Sequence, residues 1–157
     1  MERAGSLRLI GLIDTVAIST AYKLAFITNF YREPLLRRIE RDHGLTRPEW
    51  TILICLAYSS PLNPRDITTF TEQPRNNISR GTALLASKGL ISQEPDPDDA
   101  RRALLSLTPA GRALHDAVMA LFVERETDVL VCLDDAERCD LNRLLTKVAL
   151  NLPLDLR

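Results

Sequence analysis

Apolar residues recur at steps of three and four along the first forty residues, the spacing that places them on one face of an α-helix. The pattern predicts a helix over residues 7–42. Pro34 predicts a bend or interruption near residues 29–33, because proline lacks an amide hydrogen and clashes with the preceding turn. His43 and Gly44 end this helix. Its apolar positions are Ile13, Val16, Ala17, Ala21, Leu24, Ile27, Leu35, Leu36 and Ile39.

Capping residues predict where the next two helices begin. Thr46, with Glu49 three residues later, has the arrangement of a capping box ahead of an apolar helix. Asn63 is a favourable N-cap, and Pro64 suits a first helical turn, so a short helix is predicted from Pro64 to about Phe70. These signals place two helices in quick succession.

A fourth helix is predicted over residues 75–88, with Gly89 in the position that commonly ends a helix. Two short strands follow, over residues 91–94 and 102–107, and the polar tip DPDDA between them suits a turn. The strands therefore predict a β-hairpin. The predicted buried side of the fourth helix consists of Ile78, Leu84 and Leu85.

Two further helices complete the chain. Thr108 and Pro109 supply a cap and a first-turn proline for one, and Asp134 with Glu137 begins the last, which Pro153 stops. The first and last helices carry wide apolar faces outside the compact middle of the chain, and such faces need a partner. The predicted organisation is N-terminal dimerisation helix, DNA-binding lobe and C-terminal dimerisation helices, over residues 1–44, 45–108 and 109–157.

The order helix, short helix, polar helix, hairpin predicts a mainly α fold: a winged helix-turn-helix with the β-hairpin as wing and a helical dimerisation region formed by both termini.

Net charge is only −1, so a nucleic-acid partner must be met by a local patch. Residues 75–88 contain three cations and no carboxylate, and a solvated surface helix is the plainer alternative. The predicted base-reading residues are Arg75, Asn76, Asn77, Ser79, Arg80 and Thr82.

The second strand begins with Arg101 and Arg102, which a protruding wing can place on phosphates or in the minor groove. Asp96, Asp98 and Asp99 on the same tip repel phosphate, so we expect Asp99 to orient the wing arginines. The predicted wing and phosphate contacts are Lys88, Arg101 and Arg102.

The segments LTRPEWTILICL and DPDDARRALLSLTPAGRAL, with the polar helix between them, resemble the MarR (multiple antibiotic resistance regulator) family. In the wing the resemblance rests on Asp99, Arg101, Leu105, Leu107 and Thr108. It implies a C2 homodimer that binds a pseudo-palindromic double-stranded DNA operator, with one winged lobe per half-site. The family often has basic residues where this chain has Asp98 and Ala100, which implies weaker wing contact here.

The resemblance also suggests a repressor that a small, aromatic and anionic effector releases from DNA. The apolar walls of the candidate effector pocket are Phe26, Phe30, Trp50 and Ile54, and its anion partners are Arg37, His43 and Arg47. A simple core role for Trp50 is the competing interpretation.

Three other functions compete with this one. An enzyme is disfavoured because no catalytic, metal-binding or phosphate-binding motif is present, and we expect neither cofactor nor metal. A winged-helix module used only for protein association is a second alternative. A thiol-sensing regulator is the third, with Cys139 near Arg138 and Arg143 as its best residue.

The three cysteines lie in apolar, helical segments, which indicates reduced core thiols more than a disulfide framework. The chain has no apolar run long enough to span a bilayer and no secretory leader pattern in its first twenty residues. A cytoplasmic protein without membrane contact is therefore expected.

Overall fold

The computed structural model describes residues 11, 14–97 and 99–152. The predicted helix start at residues 7–10, the tip residue Asp98 and the predicted stop at Pro153 lie outside them. The predicted fold class, helical with one β-hairpin wing, is confirmed. The elements in chain order are α1 (Ser19–His43), α2 (Arg47–Tyr58), α3 (Pro64–Thr71), α4 (Arg75–Ser87), β1 (Ile91–Asp96), β2 (Asp99–Leu107), α5 (Pro109–Val129) and α6 (Asp135–Leu150).

Helix α1 differs from its prediction at two points. Residues 15–18 form turns, and the helix begins only at Ser19, so a single helix from residue 7 is wrong. Thr15, Val16 and Ile18 are β-branched and disfavour helix at that point. Of the predicted bend or interruption, the interruption is wrong, because α1 continues through Pro34, and the bend stays a prediction. A proline removes one backbone hydrogen bond from a helix, and the hydrogen bonds of the neighbouring turns are sufficient to keep α1 helical at Pro34.

The predicted helix starts agree with the structure because each depends on a local cap. Thr46 and Glu49 form a complete capping box at α2, and Asp134 and Glu137 form another at α6. The side chain of Asn63 accepts hydrogen bonds from the amides of the two residues after Pro64 at the start of α3. Each side chain satisfies amides that have no partner within their own helix.

The wing is longer than predicted. β1 and β2 pair antiparallel from Ile91 opposite Leu107 as far as Pro95 opposite Ala103, with an irregularity before the tip. Leu62 exchanges two backbone hydrogen bonds with Leu105, of 3.2 and 2.8 Å. The loop between α2 and α3 therefore fixes the base of the wing beside the helix-turn-helix.

The chain divides into two compact units, Met1–Phe122 and Val123–Arg157. The first holds the hydrophobic core. Ile78 and Leu85 are buried as predicted, whereas the prediction that Leu84 is buried is wrong, because its side chain is 42% exposed. The fully buried apolar side chains are Ile39, Leu45, Ile52, Leu53, Leu56, Ile67, Ile78, Leu85, Leu105 and Val118.

The second unit is exposed along its length. No described residue of α6 is buried, and α6 presents Leu144, Leu145 and Val148 to solvent. Cys132 and Cys139 are exposed as well, so the predicted core role of these two thiols is wrong for the chain by itself. No helix among the described residues is long and apolar enough to cross a membrane.

An ion pair between the buried carboxylate of Glu49 and the partly exposed Lys88 joins α2 to the end of α4. Glu49 is 1% exposed. Its carboxylate accepts hydrogen bonds from Lys88 Nζ at 2.6 Å and from the Thr46 amide at 2.8 Å. Burial raises the pKa of this carboxyl, but the hydrogen bonds from Lys88 and Thr46 outweigh it, so the pKa lies below its usual value. The charged form is thus the stable one in the fold.

We expect Glu49→Gln to lower the free energy of unfolding at pH 7 by about 1–3 kcal/mol, the range for hydrogen bonds to a charged group. A carboxyl whose pKa is depressed in the fold stabilises above its unfolded pKa of about 4.3, and this contribution disappears as pH falls through the lower folded value. The difference between wild type and variant should therefore shrink from pH 5 towards pH 3 in urea unfolding. A constant difference would contradict the assignment.

Candidate nucleic-acid interface

Helix α4 exposes one face of uncharged polar and cationic side chains. Asn76, Arg80 and Ala83 are exposed and are spaced by four and three residues, so they lie in line along the helix. Ile78 and Leu85 are buried on the other side. Positions 76, 80 and 83 therefore form the centre of the exposed face.

The exposed residues predicted on α4 line two clefts beside that face. Arg75, Asn76 and Ser79 line a cleft of about 340 Å³ against the start of α3. Asn77, Arg80 and Leu84 line a smaller cleft, of about 160 Å³, against Thr46 and Pro48 at the start of α2. The five exposed polar residues of α4 predicted from sequence are thus together on one solvent-facing surface.

Two predicted contacts do not fit this surface. Thr82 is only 6% exposed, because it lies four residues after Ile78 on the buried side of α4. Its hydroxyl cannot reach a base edge from there. The ammonium group of Lys88 donates hydrogen bonds to the Glu49 carboxylate and, at 2.8 Å, to the carbonyl of Gly44. Its charge is therefore paired within the protein. Both assignments are corrected to structural roles.

The wing carries one described ion pair. Arg102 Nε lies 3.1 Å from Asp99 Oδ2, and both side chains are substantially exposed. This geometry fits the predicted orienting role of Asp99. Arg101 belongs to β2, but its side chain lies outside the described residues, as does Asp98.

Arg65 is a cation of this surface that the sequence analysis missed. It is exposed near the start of α3 and lines the cleft with Arg75. No described residue accepts a hydrogen bond from its guanidinium or forms an ion pair with it. Charge patterning in the sequence points only to the fourth helix and the wing. The signal for Arg65 is its position directly after Pro64, as a basic residue at the start of a helix in the motif.

The seven residues of the predicted effector pocket do not share one environment. Trp50 is 3% exposed and stacks on His115 and Phe122, with ring centroids 5.5 and 5.4 Å apart. This favours the core interpretation of Trp50. Phe30 is exposed and lies 4.5 Å from the ring of Phe26. Ile54 is partly buried against the core, and Arg37, His43 and Arg47 are exposed.

The buried ring of His115 was not anticipated as part of this core. It packs against Trp50 and edge-on against Tyr58, and its Nδ1 lies 2.8 Å from the Asp116 carboxylate. His115 and Trp50 are 65 residues apart in the chain, so no local pattern could join them. No cluster of three or more metal-ligating side chains occurs among residues 11, 14–97 and 99–152.

Known proteins match both the sequence and the fold. Residues 43–102 match the model of the MarR family. The chain is 29% identical over 84 residues to the uncharacterized HTH-type transcriptional regulator YhjH of Bacillus subtilis, covering 51% of this chain and 48% of that protein. The chain therefore spans about half the length of this relative.

Solved structures extend the match beyond the family model. A probable transcriptional regulator from Pseudomonas aeruginosa is 30% identical, with a TM-score of 0.62 over 79% of this chain and 95% of that one. A mutant MarR from E. coli complexed with operator DNA is 20% identical, with a TM-score of 0.70 over 83% and 94%. PcaV from Streptomyces coelicolor, in complex with its natural ligand, is 22% identical, with a TM-score of 0.65 over 88% and 95%.

The matches to the E. coli MarR mutant and to PcaV concern the fold alone. The matches to YhjH and to the Pseudomonas aeruginosa regulator extend to the sequence. The predicted resemblance is thereby confirmed, over the helix-turn-helix, the wing and most of the flanking helices. The chain belongs to the MarR family of transcriptional regulators.

Proposed function

We propose that this chain regulates transcription by binding a specific double-stranded DNA operator, with α4 in the major groove. The observation that carries the proposal is the exposed face of α4, which offers amides, a hydroxyl and guanidinium groups and no carboxylate. Asparagine and arginine can each make paired hydrogen bonds to one base, adenine and guanine respectively. In this arrangement Asn76, Asn77, Ser79 and Arg80 read bases, while the wing arginines contact the DNA backbone.

The binding unit in this proposal is a C2 homodimer. In α1, Tyr22, Ile27 and Phe30 are each more than half exposed, and α6 exposes its own apolar residues. A second copy that covers such residues removes apolar surface from water. Two-fold symmetry then presents two α4 helices, about 34 Å apart for half-sites one helical turn apart on a pseudo-palindromic operator.

Regulation by a small molecule is the second part of the proposal. PcaV is a neighbour in fold whose structure holds its natural ligand. An effector can release this chain from DNA only if it binds more tightly to a conformation that misfits the operator. We propose that the chain is a repressor that leaves its DNA operator when it binds an aromatic anion. Because Trp50 is closed in the core, the exposed Arg37, His43 and Arg47 are the part of the predicted pocket open to such an anion.

We further propose that the chain acts by binding and catalyses no reaction, without a resident cofactor, in the cytoplasm where operator DNA is accessible. A thiol-sensing regulator receives little support from Cys55, because burial raises the pKa of its thiol and so disfavours the reactive thiolate. Cys132 and Cys139 are exposed and remain available for a direct test with peroxide.

Selection of bound duplexes from a random pool tests the proposed function. We expect one enriched, two-fold symmetric sequence, bound by a species that sediments as two chains, with an affinity that falls steeply with salt. Adding candidate aromatic acids should weaken that binding if the regulatory proposal is right. Failure to enrich any duplex, together with stable binding to another protein, would favour the protein-association module instead.

A further inference from the structure

Three arginines from three elements line one cleft beside the recognition helix. The cleft has a volume of about 520 Å³ and is lined by Asn63, Pro64, Arg65, Asp66, Arg75, Arg102 and Ala103. Arg65 comes from the first turn of α3, Arg75 is the first residue of α4, and Arg102 lies in β2 near the tip of the wing. The fold therefore brings together cations that are far apart in the sequence.

The cleft keeps an excess of positive charge. The Asp66 carboxylate accepts a hydrogen bond from the Asn63 amide at 3.3 Å, as part of the α3 capping box. Asp99 offsets one cation, because it pairs with Arg102. The guanidinium groups of Arg65 and Arg75 have no hydrogen-bond or ion-pair partner among the described residues. An anion is the ligand that this arrangement fits.

The position of Arg75 on α4 separates it from Asn76 and Arg80, at the centre of the base-reading face. Successive residues of a helix are about 100° apart, since a turn holds about 3.6 residues. Arg75 is therefore rotated by about 100° from Asn76 and by about 140° from Arg80, which mark the centre of the exposed face. Its side chain lines both clefts that α4 shares with Arg65. Arg75 thus lies with Arg65, on the flank of the face.

We propose that Arg65, Arg75 and Arg102 form a clamp for a backbone phosphate of the bound DNA, and that Arg75 is a phosphate contact and not a base reader. This inference rests on the proposed function. In helix-turn-helix complexes the helix before the recognition helix crosses the DNA backbone, and the clamp lies between that helix, the recognition helix and the wing. The ligand is therefore a phosphate of the operator, covalently continuous with the bases that Asn76 and Arg80 read.

Salt titrations of duplex binding test the clamp. Each phosphate contact contributes about 0.9 to the slope of log K against log salt. Arg65→Gln and Arg75→Gln should each lower the magnitude of that slope by up to about 0.9, the full contribution of the one phosphate they share, which corresponds to a loss of up to about fivefold at 0.15 M salt. The loss should be equal on the selected operator and on a scrambled duplex of the same length, because phosphates carry no sequence information.

Arg143→Gln is the matched control, because Arg143 is exposed and pairs with Asp140 on α6; its slope should equal that of wild type. Arg65→Lys should keep the slope, since lysine retains the charge. Thermal unfolding of each variant checks that the fold is kept. A slope unchanged in Arg65→Gln would overturn the clamp.

A loss in Arg75→Gln confined to the operator would show base reading and overturn the assignment of Arg75. Wild-type protein that binds neither duplex at low salt would contradict the proposed function itself, and the clamp with it. A drop in slope in both variants, equal on both duplexes and absent from Arg143→Gln, supports the clamp.

Discussion

Replacing Arg80 with alanine is expected to weaken binding to the selected operator by about 1–3 kcal/mol, the discrimination that one bidentate arginine–guanine contact supplies. Binding to a scrambled duplex should fall far less, because only one cation is lost there. Arg80 lies at the centre of the exposed face of α4, in line with Asn76 and Ala83. Of the two arginines of α4, both exposed, it is the one at the centre of that face.

The measurement is fluorescence anisotropy with both duplexes at one fixed salt concentration. Arg75→Gln serves as the comparison on the same helix, since the clamp predicts equal losses on both duplexes for that variant. Repeating the duplex selection with Arg80→Ala should yield a consensus that is relaxed at one base pair of each half-site. Equal losses on operator and scrambled DNA would remove Arg80 from the base-reading set.

The parts of the fold that depend on local chemistry could be predicted from the sequence. Thr46, Asn63 and Asp134 cap helices whose starts the structure gives within a residue, because a cap needs only the amides of the next turn. Gly44 and Gly89 have φ of 61° and 67°. These left-handed conformations suit glycine, and both glycines mark helix ends as predicted.

The parts that depend on tertiary contacts could not be predicted in the same way. The apolar pattern of α4 assigned Leu84 to the core, but the packing of α2 against α4 sets the helix rotation and buries Thr82 instead. Lys88 looked like a free cation because its partner, Glu49, is 39 residues away. A charge pattern on one helix cannot show which charges another helix neutralises.

The same distinction between local chemistry and tertiary contacts applies to the candidate site. Five exposed polar residues of α4 were predictable because they all lie within residues 75–80 of one helix without carboxylates. Arg65 was not, since it joins Arg75 and Arg102 only when the loop at Leu62 fixes the wing beside α3. The charge pattern of the sequence pointed to a cationic patch on α4. Only the fold shows that this patch extends to α3 and the wing.

Gly111 is the residue whose replacement should destabilise the fold most directly. A Cβ built at Gly111 would lie 1.9 Å from the carbonyl oxygen of Leu90 and 2.9 Å from its carbon. That oxygen accepts a hydrogen bond from the Thr108 amide at 3.1 Å, and the Thr108 hydroxyl donates to Gly89 at 2.7 Å. The start of α5 is thus held against the backbone that follows α4, at a distance that only glycine allows.

Gly111→Ala is therefore expected to lower the free energy of unfolding by about 3 kcal/mol, the upper part of the usual range for an overpacked core. This loss is expected although the helix propensity of alanine is more favourable than that of glycine by about 1 kcal/mol. Gly81→Ala is the matched control, because the one close contact of its Cβ would be the end of the Ile52 side chain, at 2.8 Å, with backbone atoms no nearer than 3.6 Å, and a side-chain end shifts more readily than backbone. We expect the control to stay within about 1 kcal/mol of wild type in urea unfolding. The backbone at Leu90 cannot move without breaking the bond to Thr108, so equal stabilities for the two variants would mean that α5 does not pack against the wing base as described.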